Sequence, residues 1–487
     1  MATTRRKRFL IRLAIIVLIS IICWKYAWDL HEDSLMHLNL RQAKPGPLPS
    51  ASHPSSNIQL GDKADNMLHF MHITDIHISK FNKVGGLTHL QSFLKNELPL
   101  VAPDLVLCTG DLTDAKFKHK LTSQQHRVEW VSYHDALSQS KVLERQNSKF
   151  WWDMRGNHDC YSVPSFNHSL NLYTSLSAVK TQGYSFTVTK PFGEYSFVAL
   201  DACPNTGLSK PLSFFGYLDS EDMDFLAESL ERAQTHNHVF VLTHYPLSCM
   251  HLGKTRQGRN LKEFAGRVSL WLSGHLHTFF GDELYAHRSP GVLELELGDM
   301  KSNGLFRTIV VDHDLVSFRD FTISGAALPM SPDDHTPFTG YPLVHITNPK
   351  DARYVLPDKE PLGLTATSTH IRVLVWSSLP ISSVCAEIDG IELNNATYNG
   401  VGSSWSSIQA TGEQQPYLPL WTITWNPKAY QDGKTHTLTV FAIDNANTAG
   451  KHTVHFRLDG KKDPIKLSLG KIMMTVQLGL FVNYLLN

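Results

Sequence analysis

The stretch Asp104-Leu-Val-Leu-Cys-Thr-Gly-Asp-Leu-Thr-Asp114 decides how this chain is read. Its short apolar run is too brief for a helix and fits a strand buried on both faces, with Cys108 as a small hydrophobe within it. The chain then turns at Gly110 and presents two carboxylates, Asp111 and Asp114. A buried strand that runs into a polar turn belongs to an open α/β sheet, where ligands collect at the carboxyl ends of strands. Gly110, lacking a side chain, is expected to let that turn approach a ligand closely.

Four further segments end apolar runs in the same way: Asp75-Ile-His77, Gly156-Asn157-His158-Asp159, Thr243-His244-Tyr-Pro and Gly274-His275-Leu-His277. Singly each is ordinary, because Asp-x-His is common in loops and Gly-Asp marks turns. His72, His89, His119 and His126 show how freely this chain places histidine without an evident role. Taken in order, each at a strand end, the segments supply Asp75, His77, Asp111, Asn157, His244, His275 and His277 as oxygen and nitrogen ligands for two metal ions. His158 is an additional histidine beside them. One carboxylate offers two oxygens and can bridge cations about 3.5–4 Å apart, the separation of a hydrolytic pair. The histidines flanking Leu276 are expected to point to one side of an extended segment. Mixed nitrogen and oxygen donors suit Fe, Mn or Zn alike.

Around these segments the pattern predicts strands over 68–74, 104–109, 150–154, 183–188, 195–200, 238–242, 267–272, 292–297 and 305–311, with helices over 87–100, 123–145 and 220–233. That alternation defines an α/β domain over 67–325. The texture then changes to short strands over 344–346, 371–376, 384–388, 420–425, 435–442 and 453–457, separated by Gly, Asn, Pro and Ser. Helical periodicity is missing there, so 326–460 reads as an immunoglobulin-like β-sandwich without the Cys and Trp spacing of a true immunoglobulin domain.

In 487 residues, 45 basic side chains balance 45 acidic ones, which gives no charge argument for nucleic acid or another polyanion. The six cysteines form no CxxC and no regular spacing, so no disulfide framework is expected and the redox compartment stays open. Arg5, Arg6, Lys7, Arg8 and Arg12 precede an apolar run over 13–24 that is closed by Lys25, Tyr26 and Trp28. This is a cleaved signal peptide or a signal anchor. The interfacial aromatics and the lack of an A-x-A-like site favour an anchor over 1–28, with the basic end cytoplasmic and the rest lumenal or extracellular. Residues 29–66 form a linker. The sequons Asn167-His-Ser169 and Asn395-Ala-Thr397 fit a glycoprotein of that orientation. Residues 461–487 carry a second apolar run, broken by Gln477 and Asn483, which is either a terminal element packed on a core or the start of a membrane span. Segments 205–219 and 249–263 are expected rim loops, with Lys254, Arg256 and Arg259 solvated.

The five segments resemble the signature blocks of the calcineurin-like metallophosphoesterases: D-x-H, G-D-x-x-D, G-N-H-D/E, a lone histidine block and G-H-x-H. Thr243 stands where glycine is usual. The resemblance implies a four-layer α-β-β-α sandwich, one metal held by Asp75, His77, Asp111 and His277, and another by Asp111, Asn157, His244 and His275. It also implies that His158 contacts the transition state or protonates the leaving group, with Asp114 orienting its ring. The layout as a whole is similar to the eukaryotic transmembrane protein 62 family, through Leu293-Glu-Leu-Glu-Leu-Gly-Asp299, His345-Ile-Thr-Asn-Pro-Lys350 and Ser368-Thr-His-Ile-Arg-Val-Leu374. Members of that family continue into further membrane spans, so a truncated tail is expected. The implied function is a membrane-anchored hydrolase of phosphate esters using a metal-activated water in line with phosphorus. The alternative is a non-catalytic, membrane-tethered scaffold or receptor that retains its metals. No nucleic-acid partner is indicated, and monoester, diester, nucleotide and lipid-linked substrates all fit.

Overall fold

Met67–Ile73 shows how the layers form, because its side chains enter two different cores. Met67, Met71 and Ile73 pack with Leu90, Phe93 and Trp130 from helices on one side. Leu68 and Phe70 pack with Phe197, Phe240 and Leu272 from a second sheet on the other. Period-two alternation with both faces apolar is what a strand buried on both sides requires. The computed structural model describes residues 59–475 apart from 146–148, 211, 279–282, 324–341, 403–416 and 465–467. The expected anchor, most of the linker and the last residues of the apolar tail lie outside the described residues. Among the described residues no helix is long and apolar enough to cross a membrane.

The first sheet runs, in space, Leu315–Thr322, Leu305–Asp312, Met67–Ile73, Leu105–Cys108, Trp151–Asp153, with the last three parallel. The second runs Tyr285–Arg288, Val292–Glu296, Val268–Ser273, His238–Leu242, Gly193–Ala199, Tyr184–Lys190, with its four central strands parallel. A third core of Met223, Leu226 and Leu230 seats the helix Ser220–Arg232 on the outer face of the second sheet. The order is therefore helices, sheet, sheet, helix. The strands Leu315–Thr322 and Tyr285–Arg288 were not expected from the sequence, because as edge strands they mix polar with apolar residues.

Two expected helices divide. The one over 87–100 becomes Leu87–Lys95 and Glu97–Val101, since Pro99 has no N–H to continue the ladder. The one over 123–145 becomes Arg127–Gln139 and Val142–Arg145, and 115–126 is a loop.

Beyond residue 341, two four-stranded antiparallel sheets enclose Val373, Val384, Val440 and Phe456. The alternate residues Leu343, Leu374, Trp376 and Leu420 face the other way and join the core of the first sheet. The β-sandwich is thus packed into the α/β core. Across this seam Asp312 accepts from Arg372 Nε at 2.8 Å and from Thr347 Oγ1 at 2.6 Å. Thr308 Oγ1 and Ser317 Oγ flank the ring of His345, at 2.8 and 3.0 Å.

Candidate metal centre

Five parallel strands of the two sheets end at one edge, and the turn after each carries one of the polar segments. Asp75 and His77 follow Met67–Ile73, Asp111 follows Leu105–Cys108, and Asn157 follows Trp151–Asp153. His244 follows His238–Leu242, while His275 and His277 follow Val268–Ser273. Asp75, His77, Asp111, His275 and His277 all adopt positive φ, between 51° and 81°. Non-glycine residues enter that region at a cost, and such strain gathers where side chains must be aimed. The His275–His277 segment is therefore left-handed at both histidines and not extended as expected. Glycine is required at two contacts: a Cβ on Gly156 would lie 2.2 Å from Asp111 Oδ1, and one on Gly274 would lie 2.3 Å from Asp75 Oδ2. Gly110 packs on the backbone of Gly156, so its missing side chain fits two signature turns together.

Seven expected donors converge. Asp75 Oδ1 lies 3.1 Å from His277 Nε2 and 3.5 Å from His77 Nε2. Asp111 faces both halves of the cluster, with Oδ2 3.4 Å from His77 Nε2 and Oδ1 3.4 Å from His244 Nε2. Asn157 Oδ1 lies 3.0 Å from His244 Nε2 and 3.1 Å from His275 Nδ1. Both carboxylates are buried.

The imidazoles share a second feature. His244 Nδ1 donates to the carbonyl of Thr109 at 2.8 Å, and His158 Nδ1 donates to the carbonyl of Asp114 at 2.6 Å. His77 Nδ1 faces Asp114 Oδ1 at 3.4 Å, and His277 Nδ1 faces Asp299 Oδ1 at 3.6 Å. In all four rings an oxygen backs Nδ1 and leaves Nε2 aimed inward, the arrangement that orients metal-binding histidines. His275 is the reverse, presenting Nδ1 and leaving Nε2 buried without a hydrogen-bond partner. His77 Nε2 and His277 Nε2 approach to 3.3 Å with Asp75 Oδ1, itself without a hydrogen-bond partner, beside them. Lone-pair donors this close, in a buried place, fit cations between them. The groups Asp75–His77–His277 and Asp75–Asp111–His244 each bring their ligand atoms within 4.8 Å of one another.

The charges influence each other strongly. Burial works against protonated His244, yet Asp111 raises its pKa to about 9. Burial, and then the neighbouring His244, lowers His275 to about 3. Burial also pushes His158 well down, so its imidazolium is a stronger acid than usual. Asp111 stays ionised against burial because His158, His244 and His77 surround it.

Asp114 differs from its expected contact: its carbonyl holds the ring of His158, and its Oδ1 stands 3.8 Å from that Nδ1. That carboxylate instead meets Lys301 Nζ at 3.1 Å and Lys116 Nζ at 3.3 Å. These lysines and Asp299 were not singled out in the sequence. Gly298-Asp299 follows Val292–Glu296 just as Gly110-Asp111 follows its strand, so a signal existed. Nothing in the sequence marks the lysines. Arg256 and Arg259 turn away from the centre to pair with Glu221 and Glu231 of the helix Ser220–Arg232. Cys160 and Cys203 form a disulfide, which no cysteine spacing foretold; it ties the turn bearing Asn157 and His158 to the segment after Gly193–Ala199.

Comparison with known proteins agrees with this geometry. Residues 68–279 match the calcineurin-like phosphoesterase family, and residues 339–462 match the TMEM62 Ig-like domain. The chain thus contains a calcineurin-like phosphoesterase domain followed by a TMEM62 Ig-like domain. It is 35% identical to mouse Transmembrane protein 62 over 425 residues, which is 86% of this chain and 59% of the mouse protein. The Arabidopsis thaliana protein At3g03305, provisionally named a metallophosphoesterase, is 28% identical over 244 residues, 48% of this chain and 33% of that one. The chain thus spans three fifths of the mouse relative and a third of the plant relative. A solved Staphylococcus aureus structure, provisionally named a 5'-nucleotidase, shares 12% identity and a TM-score of 0.33 over 55% of this chain and 56% of that one, a likeness too low to carry an argument.

Proposed function

We propose that this chain is a membrane-anchored, dinuclear-metal hydrolase of phosphate esters. The observation that carries the reading is Asp111, a buried carboxylate whose two oxygens face donors from opposite halves of the cluster. Asp75, His77, Asp111 and His277 would hold one ion, and Asp111, Asn157, His244 and His275 the other. Metal ions bound there supply Lewis acidity toward the phosphoryl oxygens and a water acidic enough to attack phosphorus.

The protein's own part is positioning and proton transfer. The carbonyl of Asp114 accepts from Nδ1–H of His158, so Nε2 faces the centre and would donate a proton to the leaving alkoxide from the imidazolium form. Burial disfavours that imidazolium, and the negative charge of a bound phosphate would favour it. Lys116 and Lys301, half-buried around Asp114, place positive charge beside the centre, where a phosphate brings negative charge. Asp299 and the Thr109 carbonyl hold His277 and His244 in register.

The apolar run over 13–24, with its basic flank, supports an anchor that leaves the catalytic domain lumenal or extracellular. The Cys160–Cys203 disulfide fits an oxidising compartment, and the sequon residues Asn167 and Asn395 are exposed for glycosylation. The division into 67–325 and 326–460 follows the change from mixed sheets to the antiparallel sandwich.

The test is elemental analysis of protein purified without added metal, combined with a panel of aryl phosphate mono- and diesters. About two ions per chain together with metal-dependent turnover is the expected result. Bound metal with no turnover on either probe would instead favour a scaffold.

A further inference from the structure

Three loops border the candidate metal centre: 79–86, 115–126 and 203–217, residue 211 lying outside the described residues. They carry Lys80, Lys83, Lys116, Lys118, Lys120 and Lys210, and not one Asp or Glu. In a chain whose acids and bases balance, this is a local excess of positive charge. The same loops lift Phe81, Val84, Leu121, Leu208, Leu212 and Phe214 into solvent, with Leu121 75% and Leu212 70% exposed.

The loops form one collar. Buried Glu129 accepts from the backbone N–H of Lys80 and of Ala115, each at 2.9 Å, and so fixes the first loop to the second. The rings of Phe81 and Phe117 both abut His126. Lys210 joins the second loop to the third, its backbone N–H donating to Ser123 Oγ at 3.0 Å and its Nζ to the carbonyl of Lys120 at 2.7 Å. Phe214 of the third loop packs against His275 of the centre, 4.8 Å between ring centroids.

We propose that this collar docks on an anionic lipid surface of the leaflet on its own, non-cytoplasmic side, so that the metal centre opens toward a bilayer. Lysine with interleaved large apolar side chains matches the two layers of such a surface, charged headgroups above and acyl chains below. A soluble polyanion would use the lysines and leave the apolar tips in water. The inference goes beyond the hydrolase reading and stands whether or not the centre turns over an ester.

Hydrogen exchange on the full chain reads the loops locally, so insertion of the amino-terminal apolar run cannot imitate the result. With vesicles of phosphatidylcholine and phosphatidylserine, peptides covering 79–86, 115–126 and 203–217 should exchange several-fold more slowly than without lipid. The protection should vanish in the triple variant K83E/K118E/K120E, whose core strands should keep parental exchange rates because all three side chains are exposed. Unprotected loops, equal protection by phosphatidylcholine alone, equal protection by soluble polyphosphate, or protection that survives the triple variant would each overturn the proposal.

Discussion

The metal centre and the seam between the two domains both bury charge, but they treat it in opposite ways. At the seam, Asp312 is met by Arg372, Thr347 and His313, and Arg372 spends its remaining N–H groups on the carbonyls of Gly61 and Lys63. At the centre, donors face donors: His77 Nε2 looks at His277 Nε2, and Asp75 Oδ1 has no hydrogen-bond partner. A buried polar group without a partner is destabilising. The Asp312 cluster at the seam is complete as folded, whereas the centre fits an added cation.

Breaking the centre should abolish chemistry and spare the fold. In Asp111→Asn the shared negative charge is lost, and both turnover and bound metal should fall to background, checked by elemental analysis and aryl phosphate hydrolysis. Retained turnover would sink the dinuclear reading. His158→Gln should keep its metals but slow turnover about 10²–10⁴-fold, the usual span for losing a general acid. A parallel loss of metal would instead make His158 a ligand.

Breaking the seam should do the reverse. Arg372→Ala leaves buried Asp312 without its guanidinium partner and should cost about 3–5 kcal/mol in denaturant unfolding. Hydrolysis per folded molecule should be unchanged; a matching loss of activity would show that the domains cooperate in chemistry. A smaller effect is expected of Asp299→Asn, which removes the charge behind His277 and should weaken metal affinity or activity about 10–100-fold.

The last effect concerns acid. His345 is held down to about 3, first by burial and then by Arg319. It stays neutral in the folded protein while the unfolded chain takes up a proton below about 6.5. Stability should therefore fall as pH drops from 6.5 toward 3, by about 1.4 kcal/mol per pH unit for this one group. In His345→Gln that slope should shrink by one proton in unfolding measured against pH. An unchanged slope would assign the acid sensitivity elsewhere, for example to buried His452.

The contrast also explains what could be read early. Asp75, Asp111, Asn157 and the three histidines after the second-sheet strands were visible because a metal centre would demand particular residue types, and strand ends place them at fixed points along the chain. His158 and Asp114 were visible in the same turns, yet the oxygen that holds the ring is the Asp114 carbonyl, and a backbone atom has no signature in a sequence. Lys116 and Lys301 meet at one carboxylate although 185 positions part them, and lysines are common enough to pass unnoticed. The Cys160–Cys203 bond escaped for the same reason.

By itself the sequence determined the alternating α/β layers, the β-rich second half and the polar residues that gather at the strand ends. Those depend on local periodicity and on residue chemistry, which travel with the chain. Tertiary structure alone decided the left-handed turns that aim the donors, the backing of each imidazole, the lysine collar and the fusion of the sandwich through Asp312 and Arg372. Each of these joins residues that are distant along the chain, through contacts that exist only once both sheets have packed.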